Sequence, residues 1–295
     1  MISRRLAMAI SLVALVGLSS VLWAQQATAP ERKTGTPTLE GILQTLQDNL
    51  DAYHHGIPSF LCDEHAVSKM APLLTTSPYV TSRSQNTVTD STFRVKRTTN
   101  ADGDTTLTES RNIKSVNGHA AEGEEISGPA IFSGAFSGGP VIVSLSQTAC
   151  MRYRLRPIHP EKPNDPYIVE FASKPANERP ANCVLTEDGA GLVAIDPATM
   201  QVTHLEFKVP KHTIFAGGRR TDGSNAPRTI GVWVASIDYA SVVLEGKTFW
   251  LTKTIDAKMT GGRGPTVWSF NAKYSNYHKL EVTSRILPAS EEPVQ

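Results

Sequence analysis

The sequence predicts a mainly β protein of the α+β class: a curved antiparallel sheet or open half-barrel with one N-terminal amphipathic helix packed on it. Apolar residues recur at helical spacing in only one segment, 37–54. Most of the chain after it alternates between apolar and polar residues, which is typical of half-buried strands. Short turn sequences separate these runs, and such turns join antiparallel neighbours, because parallel strands need long crossover connections.

The helical segment shows a clear apolar stripe opposite a polar face. Thr36 is the predicted N-cap, Pro37 the first helical residue, and Gly56 lies just past the end. The stripe consists of Leu39, Ile42, Leu43, Leu46, Leu50 and Tyr53.

Three turn sequences predict β-hairpins. The first is "NADGD" at 100–104, and the second follows Asp196, with Pro197 at the second position of a type I turn. The third is Glu245-Gly246, and a long alternating run over 266–286 closes the fold. Consecutive hairpins of this kind indicate an antiparallel meander.

The N-terminus reads as a secretory signal peptide over residues 1–24, with Arg4 and Arg5 before an apolar run and Ala24 at the cleavage position. An uncleaved membrane anchor is the alternative, because the run is about long enough to span a bilayer. We therefore expect a periplasmic or secreted protein. The predicted segments after it are a flexible leader 25–36, a single β-rich domain 37–287 and a disordered tail 288–295.

Composition narrows the function classes. The 295 residues are 40% hydrophobic and 19% charged, which describes a folded globular protein, and the formal net charge is only +1. Since no basic tract stands out, we expect no nucleic-acid partner.

The stretch "IPSFLCDEHAV", residues 57–67, holds the densest chemistry in the chain. In a strand, Cys62 and Glu64 face one way and Asp63 and His65 the other, so the four cannot converge on one metal ion. We predict an ordinary strand with Phe60 and Cys62 inward. No metal site and no cofactor are expected.

Three cysteines in an exported chain allow at most one disulfide. We favour Cys150–Cys183, because both lie in strand-like contexts and would close a loop of moderate length. Cys62 is then free and buried, although its pairing with either of the other two stays open at this point.

Seven aromatic residues on the C-terminal strands either fill a core or line a concave apolar face. They are the predicted ligand contacts if a groove exists: Trp233, Phe249, Trp250, Trp268, Phe270, Tyr274 and Tyr277. The Gly-rich segment 126–140, which contains Ser137, is a loop, a short helix or a lid over that groove.

The motifs "PSFLCDEH", "GLVAIDPATMQVTHLE", "SIDYASVVLEGKTFWL" and "AKYSNYHKLEVTSRI" are similar to those of uncharacterised exported proteins of soil acidobacteria, over most of residues 39–286. More distantly, a helix followed by a meander resembles the periplasmic lipoprotein-carrier (LolA/LolB-like) superfamily. That resemblance implies an open half-barrel that holds acyl chains against a helical lid. It transfers no functional residue to a position of this chain.

We therefore expect a non-enzymatic carrier or sensor that binds a lipid or a lipoprotein acyl chain in the concave face, with no catalytic residue. One alternative is a protein-interaction module of a cell-envelope complex, whose partner is an envelope protein. The other is a hydrolase with Cys62 or Ser137 as nucleophile, which requires a histidine base nearby.

Overall fold

A computed structural model describes residues 37–70, 85–103, 105–121, 134–136, 139–159, 161–214, 229–261 and 266–280. The predicted signal peptide, leader and tail lie outside these residues, as does Ser137, and the division of the chain into those segments stays a prediction. Within the described ranges one α-helix, α1 (Leu39–Gly56), precedes eleven strands. None of the helices described there has the length and apolar character needed to cross a membrane.

The strands in chain order are β1 (Phe60–Met70), β2 (Gln85–Thr99), β3 (Thr105–Val116), β4 (His119–Ala120), β5 (Met151–Leu155), β6 (Tyr167–Ser173), β7 (Ala190–Ile195), β8 (Val202–Ile214), β9 (Thr229–Leu244), β10 (Lys247–Gly261) and β11 (Thr266–Lys279). Short 3₁₀ turns occur at Gly139–Ile142, Leu145–Gln147 and Ala176–Glu178.

All eleven strands belong to one antiparallel sheet in the order β4-β3-β2-β1-β11-β10-β9-β8-β7-β6-β5. The sheet is curved, and it is open because, among the described residues, its edge strands β4 and β5 do not pair with each other. The first long strand pairs with the last near the middle of the sheet, with Glu64 opposite Tyr274. The predicted fold class, a curved antiparallel sheet with an N-terminal helix, is confirmed.

The helix α1 packs its predicted apolar stripe into the core. Ile42, Leu43 and Leu46 are buried. The predicted N-cap is wrong by two residues: Thr38, in extended conformation, caps the helix and its hydroxyl oxygen accepts the Gly41 N–H at 3.1 Å. That bond satisfies one of the amide groups that the first turn leaves without a helical partner, so Pro37 precedes the helix.

The predicted hairpins form where the turn chemistry places them. Asp196 Oδ1 accepts the backbone N–H groups of Ala198 and Thr199 at 2.7 and 2.8 Å, which closes the β7–β8 turn. In the β9–β10 turn, Glu245 and Gly246 both have positive φ, 52° and 74°, as a tight type I′ hairpin requires.

The two faces of β1 differ in burial, as predicted. Phe60, Cys62 and Glu64 are buried on the face that we call the inner face, which meets the core. His65 lies on the outer face and contacts Asp90 at 2.7 Å. The stretch "CDEH" is therefore an ordinary strand, and its four polar side chains do not converge.

The predicted disulfide is present. Cys150 and Cys183 are bonded, with their Cα atoms 5.6 Å apart, and Cys62 is a buried free thiol. The bridge ties the start of β5 to the loop that follows Ala176–Glu178, and both cysteines belong to the core.

Candidate functional site

A cavity of about 150 Å³ lies between α1 and the sheet, at the end where β9 and β10 form their hairpin. The helix contributes five lining residues, β8 to β10 contribute most of the others, and the segment around Phe136 forms a further wall. The apolar part of the lining includes Leu46, Leu50, Phe136, Val202, Phe249 and Trp250.

The polar part of the lining carries no charged side chain among the described residues. The side chains of Asn49, Tyr53 and Thr252 are already hydrogen-bonded within the protein. The Asn49 side-chain amide donates to the carbonyl of Met200 at 2.7 Å, and the Tyr53 hydroxyl donates to the carbonyl of Phe136 at 2.8 Å. The hydroxyl of Tyr239 is different, because it is buried and has no hydrogen-bond partner among the described residues.

The wall formed by residues 134–136 is fastened from three sides. The two oxygens of the Glu109 carboxylate accept the backbone N–H groups of Gly134 and Phe136 at 2.7 and 2.9 Å. The Thr252 hydroxyl donates to the Ala135 carbonyl at 3.3 Å, in addition to the Tyr53 bond. These bonds hold the Phe136 ring inside the fold rather than over the opening of the cavity.

The Phe136 ring sits in an aromatic cluster beside the cavity. Its ring centroid is 4.9 Å from that of Phe93, 5.0 Å from Tyr274, 5.8 Å from Phe60 and 6.4 Å from Tyr277. Each of these distances falls in the range at which aromatic pairs attract one another.

A β-bulge explains why two tyrosines three residues apart meet the same ring. Asn276 has a positive φ of 54°, and the register of β1 against β11 shifts between Leu61 and Asp63. In a regular strand, Tyr274 and Tyr277 would point to opposite faces. The extra residue turns both toward Phe136.

A buried ion pair lies on the inner face next to this cluster. Arg111 Nε and Nη2 donate to the two oxygens of Glu64 at 2.7 and 3.0 Å, and the Tyr274 hydroxyl donates to Glu64 at 2.7 Å. The Arg111 guanidinium also stacks 4.6 Å from the centre of the Phe93 ring. Sequence reasoning placed Glu64 inward but missed its partner, which lies 47 residues away.

Cys62 lies in an environment that opposes nucleophilic chemistry. Burial raises the pKa of its thiol, the negative charge of Glu64 raises it further, and a hydrogen bond with Tyr277 only partly offsets both. The reactive form of a cysteine is the thiolate. Within the described residues no histidine is bonded to Cys62, and His65 points to the outer face. Ser137 lies outside the described residues.

The seven aromatic residues predicted as ligand contacts occupy three places. Phe249 and Trp250 line the cavity. Tyr274 and Tyr277 belong to the Phe136 cluster, and the Tyr277 hydroxyl contacts the Thr252 carbonyl.

The remaining three aromatics lie toward the other end of the sheet. Trp233 and Trp268 are both paired with Met259 of β10, nine residues from Trp250, which is about 30 Å along a strand. Trp233 packs edge-on against Phe207, and Trp268 lies parallel to buried Phe270. The structure therefore does not bring the seven residues together, and their role as ligand contacts stays a prediction.

Comparison with known proteins found a solved structure whose fold this chain resembles. No protein-family model and no curated protein sequence matches the chain. The chain resembles a solved LolA superfamily protein. That protein comes from Nitrosomonas europaea and shares 11% identity over 82% of this chain and 94% of its own, with a TM-score of 0.32. Its superfamily is the one that a helix followed by a meander resembles, and a likeness at this level says nothing about function.

The site also contains residues that sequence reasoning missed. Tyr239 was not among the predicted contacts, yet it stands on the same row of β9 as Ala235 and Ile237, which are buried. The sequence signal that could have identified Tyr239 is a tyrosine on the same side of a strand as small and apolar residues. Across the residues described, no group of three or more His, Cys, Asp or Glu side chains is placed to hold a metal ion.

Proposed function

We propose that the protein is a non-enzymatic carrier or sensor that binds the alkyl chain of a lipid or lipoprotein in the cavity between α1 and the sheet. The observation that supports this most is the lining: leucines of α1 face Phe249, Trp250 and Phe136, and none of the lining residues within the described ranges is charged. Binding sites for apolar ligands are concave and mostly apolar, with few polar groups.

The size of the cavity limits what enters it. An apolar cavity of about 150 Å³ accommodates a molecule of roughly the size of benzene. Pockets for drug-sized ligands are larger, at about 300–1,000 Å³. The measured volume of about 150 Å³ therefore suits part of one alkyl chain rather than a lipid with several chains.

The disulfide and the free cysteine also support the proposal. The Cys150–Cys183 bridge is typical of proteins that fold in an oxidising compartment, which agrees with the predicted signal peptide. The thiol of Cys62 is buried and its pKa is raised chiefly by that burial, which argues against Cys62 as the nucleophile of a hydrolase.

Native mass spectrometry of the purified protein with added fatty acids and phospholipids tests this proposal. Ala52 lies at the exposed edge of the cavity, and its replacement in Ala52→Trp should fill the mouth and remove the lipid adduct. Gln44→Trp is the matched control, because Gln44 is exposed on the same helix and does not line the cavity. That variant should keep the adduct.

If no lipid binds the wild-type protein above background, the proposal fails. Equal adduct formation by Ala52→Trp and Gln44→Trp would place the ligand elsewhere. A stoichiometric envelope protein recovered without any lipid would instead favour the protein-interaction module.

A further inference from the structure

We infer that the cavity takes a single-chain lipid with an uncharged head group of several oxygens, such as a glycerol monoester. The alkyl chain lies inward, and Gln201 and Thr248 bind the head group at the opening. The inference rests on the proposed function and narrows the class of lipid. It assigns to the two residues a role in specificity rather than in folding.

The lining changes from apolar to polar between its buried and its exposed part. Leu46, Phe136 and Leu251 are 6%, 3% and 2% exposed and form the buried part. Thr248 is exposed and Gln201 is half-buried, so both lie toward the opening. A ligand with one apolar and one polar end is therefore most stable with its alkyl chain inward, because its polar end then stays close to water.

The side chains of Gln201 and Thr248 are available to a ligand. Neither makes a hydrogen bond to another of the described residues. Thr248 is exposed, and the Gln201 amide is not among the buried polar atoms that lack a partner, so a ligand can reach both. The side chains of Asn49, Tyr53 and Thr252, by contrast, already donate to backbone carbonyls. An amide and a hydroxyl each donate and accept, as the hydroxyl and ester groups of a glycerol monoester require.

The spacing of the two side chains indicates a head group with more than one oxygen. Thr248 belongs to β10, Gln201 directly precedes β8, and β9 runs between these strands. Since neighbouring strands lie about 4.8 Å apart, the backbones at Gln201 and Thr248 are separated by about 10 Å or more. A ligand that contacts both side chains therefore carries oxygens that are spread apart, as those of glycerol are.

The charge of the lining favours an uncharged head group. None of the described lining residues is Lys, Arg or His. A carboxylate at the opening would lose part of its hydration and gain no ion pair, which is unfavourable. A hydroxyl or an ester loses less, and hydrogen bonds to Gln201 and Thr248 offset that loss. The ionised fatty acid should therefore bind more weakly than its glycerol ester.

The test compares three probes of the same medium chain length: a glycerol monoester, a methyl ester and the ionised fatty acid. Affinities are measured at about pH 8, where a carboxyl group is ionised, from tryptophan fluorescence. Trp250 lines the cavity and reports its occupancy, whereas Trp233 and Trp268 lie toward the other end of the sheet. The wild-type protein should bind the glycerol monoester about tenfold more tightly than the methyl ester, which corresponds to one or two hydrogen bonds of ordinary net strength. It should bind the ionised acid most weakly.

The variants Gln201→Met and Thr248→Val keep the approximate size of each side chain and remove its hydrogen-bonding groups. Each should weaken binding of the glycerol monoester about threefold, and the double variant should lose the preference for it. Affinity for the methyl ester and the melting temperature should stay unchanged, because neither side chain is bonded within the described protein. The control is Thr106→Val, since Thr106 is exposed on β3 and does not line the cavity. That variant should keep the preference for the glycerol monoester.

A second pair of probes tests the orientation of the ligand. An alkyl glucoside places a bulky uncharged group at the head, and it should bind because that group stays at the opening. A glycerol monoester with a bulky tert-butyl group at the far end of its chain should bind at least tenfold more weakly than the unbranched one. The reason is that the buried part of a cavity of about 150 Å³ leaves little room for branching.

Three results would overturn the inference while cavity binding stands. They are tightest binding of the ionised acid, an unchanged preference for the glycerol monoester in the double variant, and equal binding of the branched and unbranched chains. If neither ester binds the wild-type protein, the proposed function fails and the inference fails with it.

Discussion

The variant Glu64→Gln tests whether the buried ion pair contributes to the stability of the inner face. The side chains of Glu64 and Arg111 are 1% and 10% exposed, and two hydrogen bonds of 2.7 and 3.0 Å join them. Glutamine has nearly the same size but no charge. It also turns one acceptor toward Arg111 into a donor, so at least one of the two bonds is lost.

The expected loss follows from the burial of the charge that is left behind. Breaking a buried pair by removing one partner costs about 3–5 kcal/mol, because the other charge stays buried without compensation. The Phe93 ring, 4.6 Å from the Arg111 guanidinium, retains a cation–π contact of about 1 kcal/mol. We therefore expect the free energy of unfolding to fall by about 3 kcal/mol, at the lower end of that range.

Urea unfolding at neutral pH, followed by circular dichroism, measures this loss. The double variant Glu64→Gln/Arg111→Met should lose less than the sum of the two single variants, because it removes both charges. Asp63→Asn is the matched control on the same strand. The Asp63–Lys114 pair is exposed, at 47% and 54%, and breaking it should cost less than about 1 kcal/mol.

A loss below about 1 kcal/mol for Glu64→Gln would refute the reasoning, since the pair would then behave like an exposed one. Additive losses in the double variant would refute it as well, because they would show that the two charges do not act on each other.

Two further predictions concern the disulfide and a titrating pair on β8 and β9. Replacing both Cys150 and Cys183 by serine should lower the free energy of unfolding by about 2–4 kcal/mol, measured by urea unfolding, because the 33-residue loop is no longer closed in the unfolded chain. For His204, burial lowers the pKa, but hydrogen bonds to Asp238 and Glu206 outweigh burial and raise the pKa overall. This contribution to stability is complete below about pH 6.5 and is lost as pH rises through the raised pKa. Asp238→Asn should lower the pKa of His204, which NMR titration of the imidazole measures.

The outcomes that contradict these two predictions are distinct. Reductant should destabilise the wild-type protein and leave the double serine variant unchanged, so an equal effect on both would show that the bridge is not responsible. A His204 pKa at or below about 6.5 in the wild type would show that the hydrogen bonds to the carboxylates do not outweigh burial.

Local patterns predicted most of the fold. The apolar stripe of α1, the alternation of β1 and the turns at Asp196 and Glu245-Gly246 each depend on a few neighbouring residues, and each appears where the sequence indicates. The N-cap was misplaced because the sequence offers two suitable capping residues, Thr36 and Thr38, and only the structure shows that the Thr38 hydroxyl accepts the Gly41 N–H.

The candidate site was less predictable, because its parts come from distant segments. The cavity needs α1, the wall at 134–136 and the β9–β10 hairpin together. Phe136 lies in a Gly-rich stretch, and nothing local in the sequence shows that the Glu109 carboxylate binds its backbone N–H. The aromatic pattern selected Phe249 and Trp250, which line the cavity. It selected Trp233 and Trp268 equally, although these lie on β9 and β11 opposite Met259, toward the far end of β10.

The sequence by itself determined the helix, the strands, the hairpin turns and the inward side of β1, because these follow from backbone preferences and from apolar periodicity along the chain. Only the tertiary structure decided that β1 pairs with β11, which brings Glu64 to Tyr274 across 210 residues. It also decided that a bulge at Asn276 turns both Tyr274 and Tyr277 toward the Phe136 ring. Such contacts depend on register between strands far apart in the chain, and no local pattern encodes that register.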